Sequence, residues 1–192
     1  MELYRLFIAA ELPADIKGEL AATQARLRLT NPPVAWVAPG AMHLTLRFLG
    51  ETSAALIPDL SAALQAALGP HPAMALQLSS AGAFPNERRP SVLWAGVGGA
   101  VAALGQAQAS IEASLIDLGF AREPKLFHPH LTLGRVRRDA SQEQRQRLGD
   151  AIRALPPPSP LAWKVERIVL FRSELRSSGP IYTEIDTVAL SR

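Results

Sequence analysis

The chain of 192 residues contains no cysteine, which excludes disulfide bonds and thiolate metal ligands and suits a reducing compartment. It has no run approaching the roughly 18 consecutive apolar residues of a membrane-spanning helix. Its opening, Met1-Glu2-Leu3-Tyr4-Arg5, carries neither the basic segment nor the long apolar stretch of a secretory signal. These absences lead to the expectation of a cytoplasmic protein with no membrane partner. Neither sign of charge dominates: 20 Lys and Arg face 17 Asp and Glu, a formal net charge of +3, which permits an anionic partner without requiring one. Aromatic residues are only 6% of the chain, and there are four histidines. Apolar residues are plentiful at 48%, enough for the core of one domain or of two small lobes.

Because histidine is scarce, its placement is informative. His43-Leu44-Thr45-Leu46 returns unchanged as His130-Leu131-Thr132-Leu133. In an extended strand, alternate side chains point to opposite faces. Each copy therefore turns two leucines toward a core and sets an imidazole beside a hydroxyl on the other face. Two such strands brought together would line one cleft.

The rest of the chain reads as alternating strands and helices. Leu3 to Ala10 is a buried opening strand, and Pro13 with Asp15 begins a helix that runs to about Leu29 before Asn31-Pro32-Pro33. Val34 to Val37 and Met42 to Leu49 are strands, the second closed by Gly50. A helix follows from Ser53 or Pro58 to Leu68, and then a half-buried strand from Met74. Ser91 to Val97 is a further strand, and Ala100 to Leu118 a third helix. Ser141 caps a polar helix that stops before Pro156-Pro157-Pro158. Strands at Leu161 to Phe171 and 181–190 finish the chain.

The two histidines are 87 residues apart, and the same offset sets strand on strand and helix on helix from about residue 5 to 176. It places Arg5-Leu6-Phe7-Ile8-Ala9 on Val92-Leu93-Trp94-Ala95-Gly96, and Phe84 on Phe171. The pattern predicts an α/β (α+β) fold that is bilobal and duplicated, with two mixed or antiparallel sheets flanked by helices. A pseudo-two-fold axis would run through a central cleft. Residues 1–192 would form one domain from two intertwined repeats, roughly 5–89 and 92–176, with the C-terminal strand added.

Two imidazoles across a cleft can take and give a proton at one reacting centre, since their ordinary pKa is about 6.5. The threonine hydroxyls can donate to oxygens that gain negative charge. A phosphodiester fits this pairing: one oxygen enters, another leaves on the opposite side, and the non-bridging oxygens need donors. Neither a metal nor another cofactor is required.

At these residues the chain resembles the two-histidine (2H) phosphoesterases, most closely the RNA 2',3'-cyclic phosphodiesterases, also called LigT or ThpR-like 2'-5' RNA ligases. The resemblance rests on Arg5-Leu6-Phe7-Ile8-Ala9, His43-Leu44-Thr45-Leu46-Arg47-Phe48-Leu49-Gly50, Arg89-Pro90 before Val92, and Phe127-His128-Pro129-His130-Leu131-Thr132-Leu133-Gly134-Arg135. It implies hydrolysis of a 2',3'-cyclic phosphate at an RNA end to a 2'-phosphate, with reversible 2'-5' ligation as an associated reaction. It also implies that His43 is the proton donor to the leaving oxygen and His130 the proton acceptor that activates water, with Thr45 and Thr132 beside them. A transfer RNA half or a nucleotide is the substrate it suggests, and a monomer the state. A non-catalytic RNA-end or nucleotide-binding module is the contrasting reading. A phosphodiesterase for another cyclic phosphate or for a 2'-5' linked oligonucleotide is a third.

Several residues carry two readings. Arg135 offers a planar fork for phosphate and stands where the family carries an arginine, yet strict alternation from His130 points it to the other face. A bulge at Gly134 would return it to the cleft. Arg47 shares parity with His43 and Thr45, so it either reaches the cleft or ends the strand in solvent. Trp36, Phe48, Phe84 and Phe127 are candidate platforms for a terminal base, or else core. His128-x-His130 has zinc-like spacing but lacks a third ligand nearby. Arg88-Arg89, Arg137-Arg138 and Arg172 would form an RNA-facing rim or merely a solvated surface.

Overall fold

The computed structural model describes residues 2–159, 161–176 and 179–191. The opening run forms strand β1 (Leu3–Glu11), in which Leu6 through Ala10 are all buried. Burial on both faces marks β1 as a central strand, covered by helices on one side and by a small aromatic cluster on the other. Helix α1 (Ala14–Arg28) buries Ile16, Leu20, Gln24 and Leu27, four positions on one helical face. Next come β2 (Val34–Trp36), a single tight turn at Pro39–Ala41, and β3 (His43–Ser53). Strand β3 does not end at Gly50 as expected. Gly50 takes the left-handed backbone (φ 73°) that glycine tolerates, and pairing with β1 continues to Ser53.

The chain continues through α2 (Ile57–Leu68), β4 (Met74–Phe84), β5 (Val92–Gly99), α3 (Val101–Ile116), β6 (His130–Val136) and α4 (Gln142–Arg153). Ser141 caps α4 in a reciprocal box with Gln144. The expected strand at Leu161 to Phe171 is two strands, β7 (Ala162–Val165) and β8 (Arg167–Arg176), separated at Glu166; β9 (Gly179–Ala189) closes the fold.

The strands run β7-β4-β5-β6-β3-β1-β8-β9, with β2 also paired to β6. Each pairing between these strands is antiparallel. The halves β7-β4-β5-β6 and β3-β1-β8-β9 meet at a narrow seam with one registered pair, Leu44 with Leu131. Both leucines are fully buried in the main core beneath the helices. Beyond the seam β3 and β6 part, and β2 takes the vacated edge of β6. The sheet thus curls around a cleft on the face that the helices leave open.

Pairing registers refine the offset between the halves. β3 and β6, and β4 and β8, correspond at 87 residues, but β5 matches β1 at 85. Ile8 pairs with Leu170 as Leu93 pairs with Ala83, and Glu11 with His43 as Gly96 with His130. The gapless alignment that set Arg5 on Val92 is two residues out along this strand. A slip of two keeps every side chain on its face, so apolar patterning cannot reveal it.

A candidate active site at the seam of the sheet

Antiparallel register around Leu44 and Leu131 directs His43 toward Thr132 and Thr45 toward His130, all on the open face. The two imidazoles are held alike. His43 Nδ1 is 2.9 Å from the Ala41 carbonyl oxygen, and His130 Nδ1 is 2.7 Å from that of His128. In each case the acceptor lies two residues before the histidine, so the proton sits on Nδ1 and Nε2 is left as the reactive nitrogen. Phe7 lies 4.7 Å from the His43 ring, and Tyr182 meets it edge-on at 5.2 Å. On the other side Phe84 meets His130 edge-on at 5.0 Å. Burial holds both imidazoles below their ordinary pKa, against the raising effect of the carbonyl bonds. Lys17 adds to the lowering at His43, and His128 and Arg135 add to it at His130.

The cleft has a volume of about 370 Å³, and its walls include His43, Thr45, Thr132, Trp36, Phe48 and Arg135. A β-bulge puts Arg135 there. Trp94 pairs with Thr132 but Leu93 with Gly134, so Leu133 is the extra residue. Leu133 and Gly134 are consecutively buried, after which alternation resumes in the opposite phase with Arg135 exposed. Strand β3 carries the same device at Leu46, between the pairs Ala9–Thr45 and Ile8–Arg47. Its consequence is to turn Phe48 into the cleft and Arg47 out of it.

Arg47 is therefore not a cleft residue. Its guanidinium makes an ionic contact with Glu112 at 2.9 Å and a directed hydrogen bond to Glu123 at 2.8 Å, and also donates to the Ala121 carbonyl. Parity from His43 would hold only if β3 were regular. Phe127 also leaves the site, since it packs half-buried against the main core. Arg172 leaves the rim: it stacks on Tyr4 at 3.9 Å and pairs with Glu174. His128 packs edge-on to Trp94 and Phe84. Among the described residues no three of His, Asp and Glu gather as a metal-ligand set.

Three residues given no site role by the sequence reading matter here. Gln24, only 3% exposed on α1, donates to the carbonyls of Leu133 (2.7 Å) and Val37 (2.8 Å). It thereby satisfies the bulge residue itself and ties it to the segment that carries Trp36. A glutamine among apolar positions of a helix was the available signal. Tyr182, on β9, and Arg5, on β1, also line the cleft. Burial raises the Tyr182 pKa while Arg135 and Arg5 lower it. Tyr182 has no local sequence signal, because only the β8–β9 pairing, Ser173 opposite Tyr182, brings it to His43.

A family model of the 2'-5' RNA ligase superfamily matches residues 12–176. The chain belongs to this superfamily, that of the two-histidine phosphoesterases. It is 34% identical over 194 residues to the RNA 2',3'-cyclic phosphodiesterase of Thermus thermophilus, covering 97% of this chain and 90% of that one. It is 32% identical to the enzyme of the same name from Escherichia coli, covering 100% and 99%. Among solved structures it is similar to E. coli LigT complexed with 3'-AMP, with a TM-score of 0.81 and 28% identity over the whole of both chains. It is also similar to TT0787 of T. thermophilus, with a TM-score of 0.79 and 30% identity over 96% and 97%.

Proposed function

We propose that the protein is an RNA 2',3'-cyclic phosphodiesterase that opens the cyclic phosphate at an RNA end to a 2'-phosphate by acid and base catalysis from two histidines. The observation that carries the mechanism is the matched pair of imidazoles, each with Nδ1 held by a backbone carbonyl and each beside a threonine on one face of the seam. In this reading His130 Nε2 takes a proton from water as its oxygen attacks phosphorus. The bond from phosphorus to O3' breaks, and His43, entering as imidazolium, protonates O3'. The products are a 2'-phosphate and a free 3'-hydroxyl. Exchange of one proton with solvent resets the pair, and the reverse sequence would join ends through a 2'-5' bond.

Thr45, Thr132 and Arg135 supply donors to the non-bridging oxygens, whose charge grows as the new bond forms. Phe48, 56% exposed, and Trp36 supply aromatic faces for the terminal base. The repeated bulge supports this division of labour, placing a guanidinium at one site in the cleft and a phenyl ring at its counterpart. It also supports an origin of the fold by duplication of a unit of about 85 residues. A monomer acting in the cytoplasm on an RNA such as a transfer RNA half completes the reading.

The test is turnover of a short RNA ending in a 2',3'-cyclic phosphate, in chelator, by wild type, His43→Ala and His130→Ala. Wild type should release a 2'-phosphate, and each variant should lose about 10²- to 10⁴-fold in kcat. Turnover that survives both substitutions, or that needs an added divalent metal, would exclude the mechanism.

A further inference from the structure

A second concavity, about 1290 Å³, lies between the connection joining β4 to β5 (residues 85–91) and α4. Its walls carry Arg88, Arg89, Arg145 and Arg153 against one carboxylate, Glu87. Two of these arginines hold the walls together. Arg145 donates to the carbonyls of Pro90 at 2.6 Å and Arg137 at 3.0 Å, while Arg153 pairs with Asp150 and, at 3.8 Å, with Glu87. The connection is braced from beneath as well. The Asn86 carboxamide oxygen accepts from the backbone N–H groups of Arg88 and Arg89 at 3.0 and 3.1 Å. Gly149 lets α4 approach so closely that a Cβ there would stand 1.9 Å from the Glu87 carbonyl oxygen. On this braced backbone Arg88 and Arg89 are exposed, and neither guanidinium has a carboxylate partner among the described residues.

The groove and the cleft both lie at the same end of β6. Val92 pairs with Arg135, which lines the cleft, and Val136 N–H donates at 2.9 Å to the carbonyl of Ser91, which lines the groove. These two backbone contacts are one residue apart along β6, about 3.3 Å. Exposed Arg137 and Arg138 follow at the same end of β6. Unpaired guanidinium groups on an ordered backbone, at the end of β6 that carries Arg135, suit a chain of phosphates leading away from the reacting terminus.

We propose that this groove binds the RNA phosphates on the 5' side of the reacting end, with Arg88 and Arg89 as the contacts that favour a polynucleotide over a mononucleotide. The proposal rests on the reading of the cleft as a cyclic phosphate site. Its test is the double variant Arg88→Gln/Arg89→Gln against wild type on two substrates, a 2',3'-cyclic mononucleotide and an RNA of ten nucleotides with the same end. The variant should keep wild-type kcat/KM on the mononucleotide and show about a ten- to thirty-fold higher KM on the ten-mer at low salt. The dependence of log KM on log salt should flatten by roughly 1.4, since each lost contact to a single strand is worth about 0.7. An unchanged KM on the ten-mer, or an equal loss on both substrates, would overturn the proposal. Titration with a ten-mer already bearing a 2'-phosphate separates the two readings. If wild type turns over neither substrate, the cleft reading fails; weaker ten-mer binding by the variant would still support the groove, and equal binding would sink it.

Discussion

Arg47 and Arg135 stand at neighbouring positions in strands of like pattern, and their surroundings give them opposite consequences. Removing Arg47 leaves Glu112, 16% exposed, without its cation, a change that costs about 1–3 kcal/mol when a charge is left part-buried and unpaired. Arg47→Ala should therefore lower the melting temperature while leaving KM near wild type. Arg135→Ala should do the reverse, with kcat/KM down by about 10²-fold and little change in melting. Similar kinetic losses in both variants would count against this division. The histidines carry a prediction in pH. With both held below the ordinary imidazole value by burial, the limbs of the kcat/KM profile, which reports the free enzyme, should lie below about 6.5. A bound phosphate anion favours imidazolium, so the alkaline limb of kcat should lie at higher pH than that of kcat/KM. Coincident limbs would show that the bound phosphate does not face the imidazole that must carry the proton.

At the scale of elements, the bulge at Leu133 links α1, β2 and β6. The Leu133 carbonyl accepts from Gln24 and, at 3.0 Å, from Val37 N–H. Replacing Gln24 with Leu removes one of those donors and leaves the Val37 carbonyl without its partner, a cost of about 1–3 kcal/mol. Because the same bonds hold the bulge that presents Arg135, Gln24→Leu should also raise KM severalfold, which a purely structural loss would not do. Gly134→Ala tests the element from the other side. A Cβ there would meet Val34 Cγ1 at 2.6 Å and Trp36 Cε3 at 3.1 Å, so β2 must move. Substrate affinity should fall together with stability; a variant that melts early yet binds normally would show that the placement of Trp36 is irrelevant. The helices themselves, with Ser141 and its Gln144 box or the Pro58 entry to α2, follow local chemistry and were legible in the chain. The bulges were not, because an extra residue leaves no mark in the local composition of a strand such as Leu131-Thr132-Leu133-Gly134. For Arg135 the need for one could be reasoned; for Arg47 simple alternation gave the wrong face.

For the molecule as a whole, the lowered histidine pKa values tie stability to pH. The unfolded chain binds more protons than the native one between the depressed native values and about 6.5. The histidine contribution to stability is therefore fully present above about 6.5 and is lost as pH falls through the native values. Melting of the free protein should drop from pH 7 toward 5, less steeply in His43→Gln/His130→Gln. Inorganic phosphate, by stabilising imidazolium, should raise the melting temperature more at pH 5.5 than at 7.5. Equal rises at the two pH values would place the anion away from the histidines.

The sequence by itself determined the alternation of strands and helices, the two tetrapeptides, and therefore the four side chains set on one face at the seam. These are local properties: period-two burial sets His43 with Thr45 and His130 with Thr132 wherever those strands lie. Tertiary structure alone decided how the strands meet at the single Leu44–Leu131 pair, and that β5 is displaced by two residues against β1. It also decided that Arg135 and Phe48 enter the cleft while Arg47 and Phe127 do not, and that Tyr182 arrives from the far end of the chain. The reason is that register, bulges and sheet edges are set by contacts between residues far apart in sequence, such as Gln24 with Leu133 across 109 positions. Such pairings are stabilised together or not at all, so no single stretch of the chain encodes them.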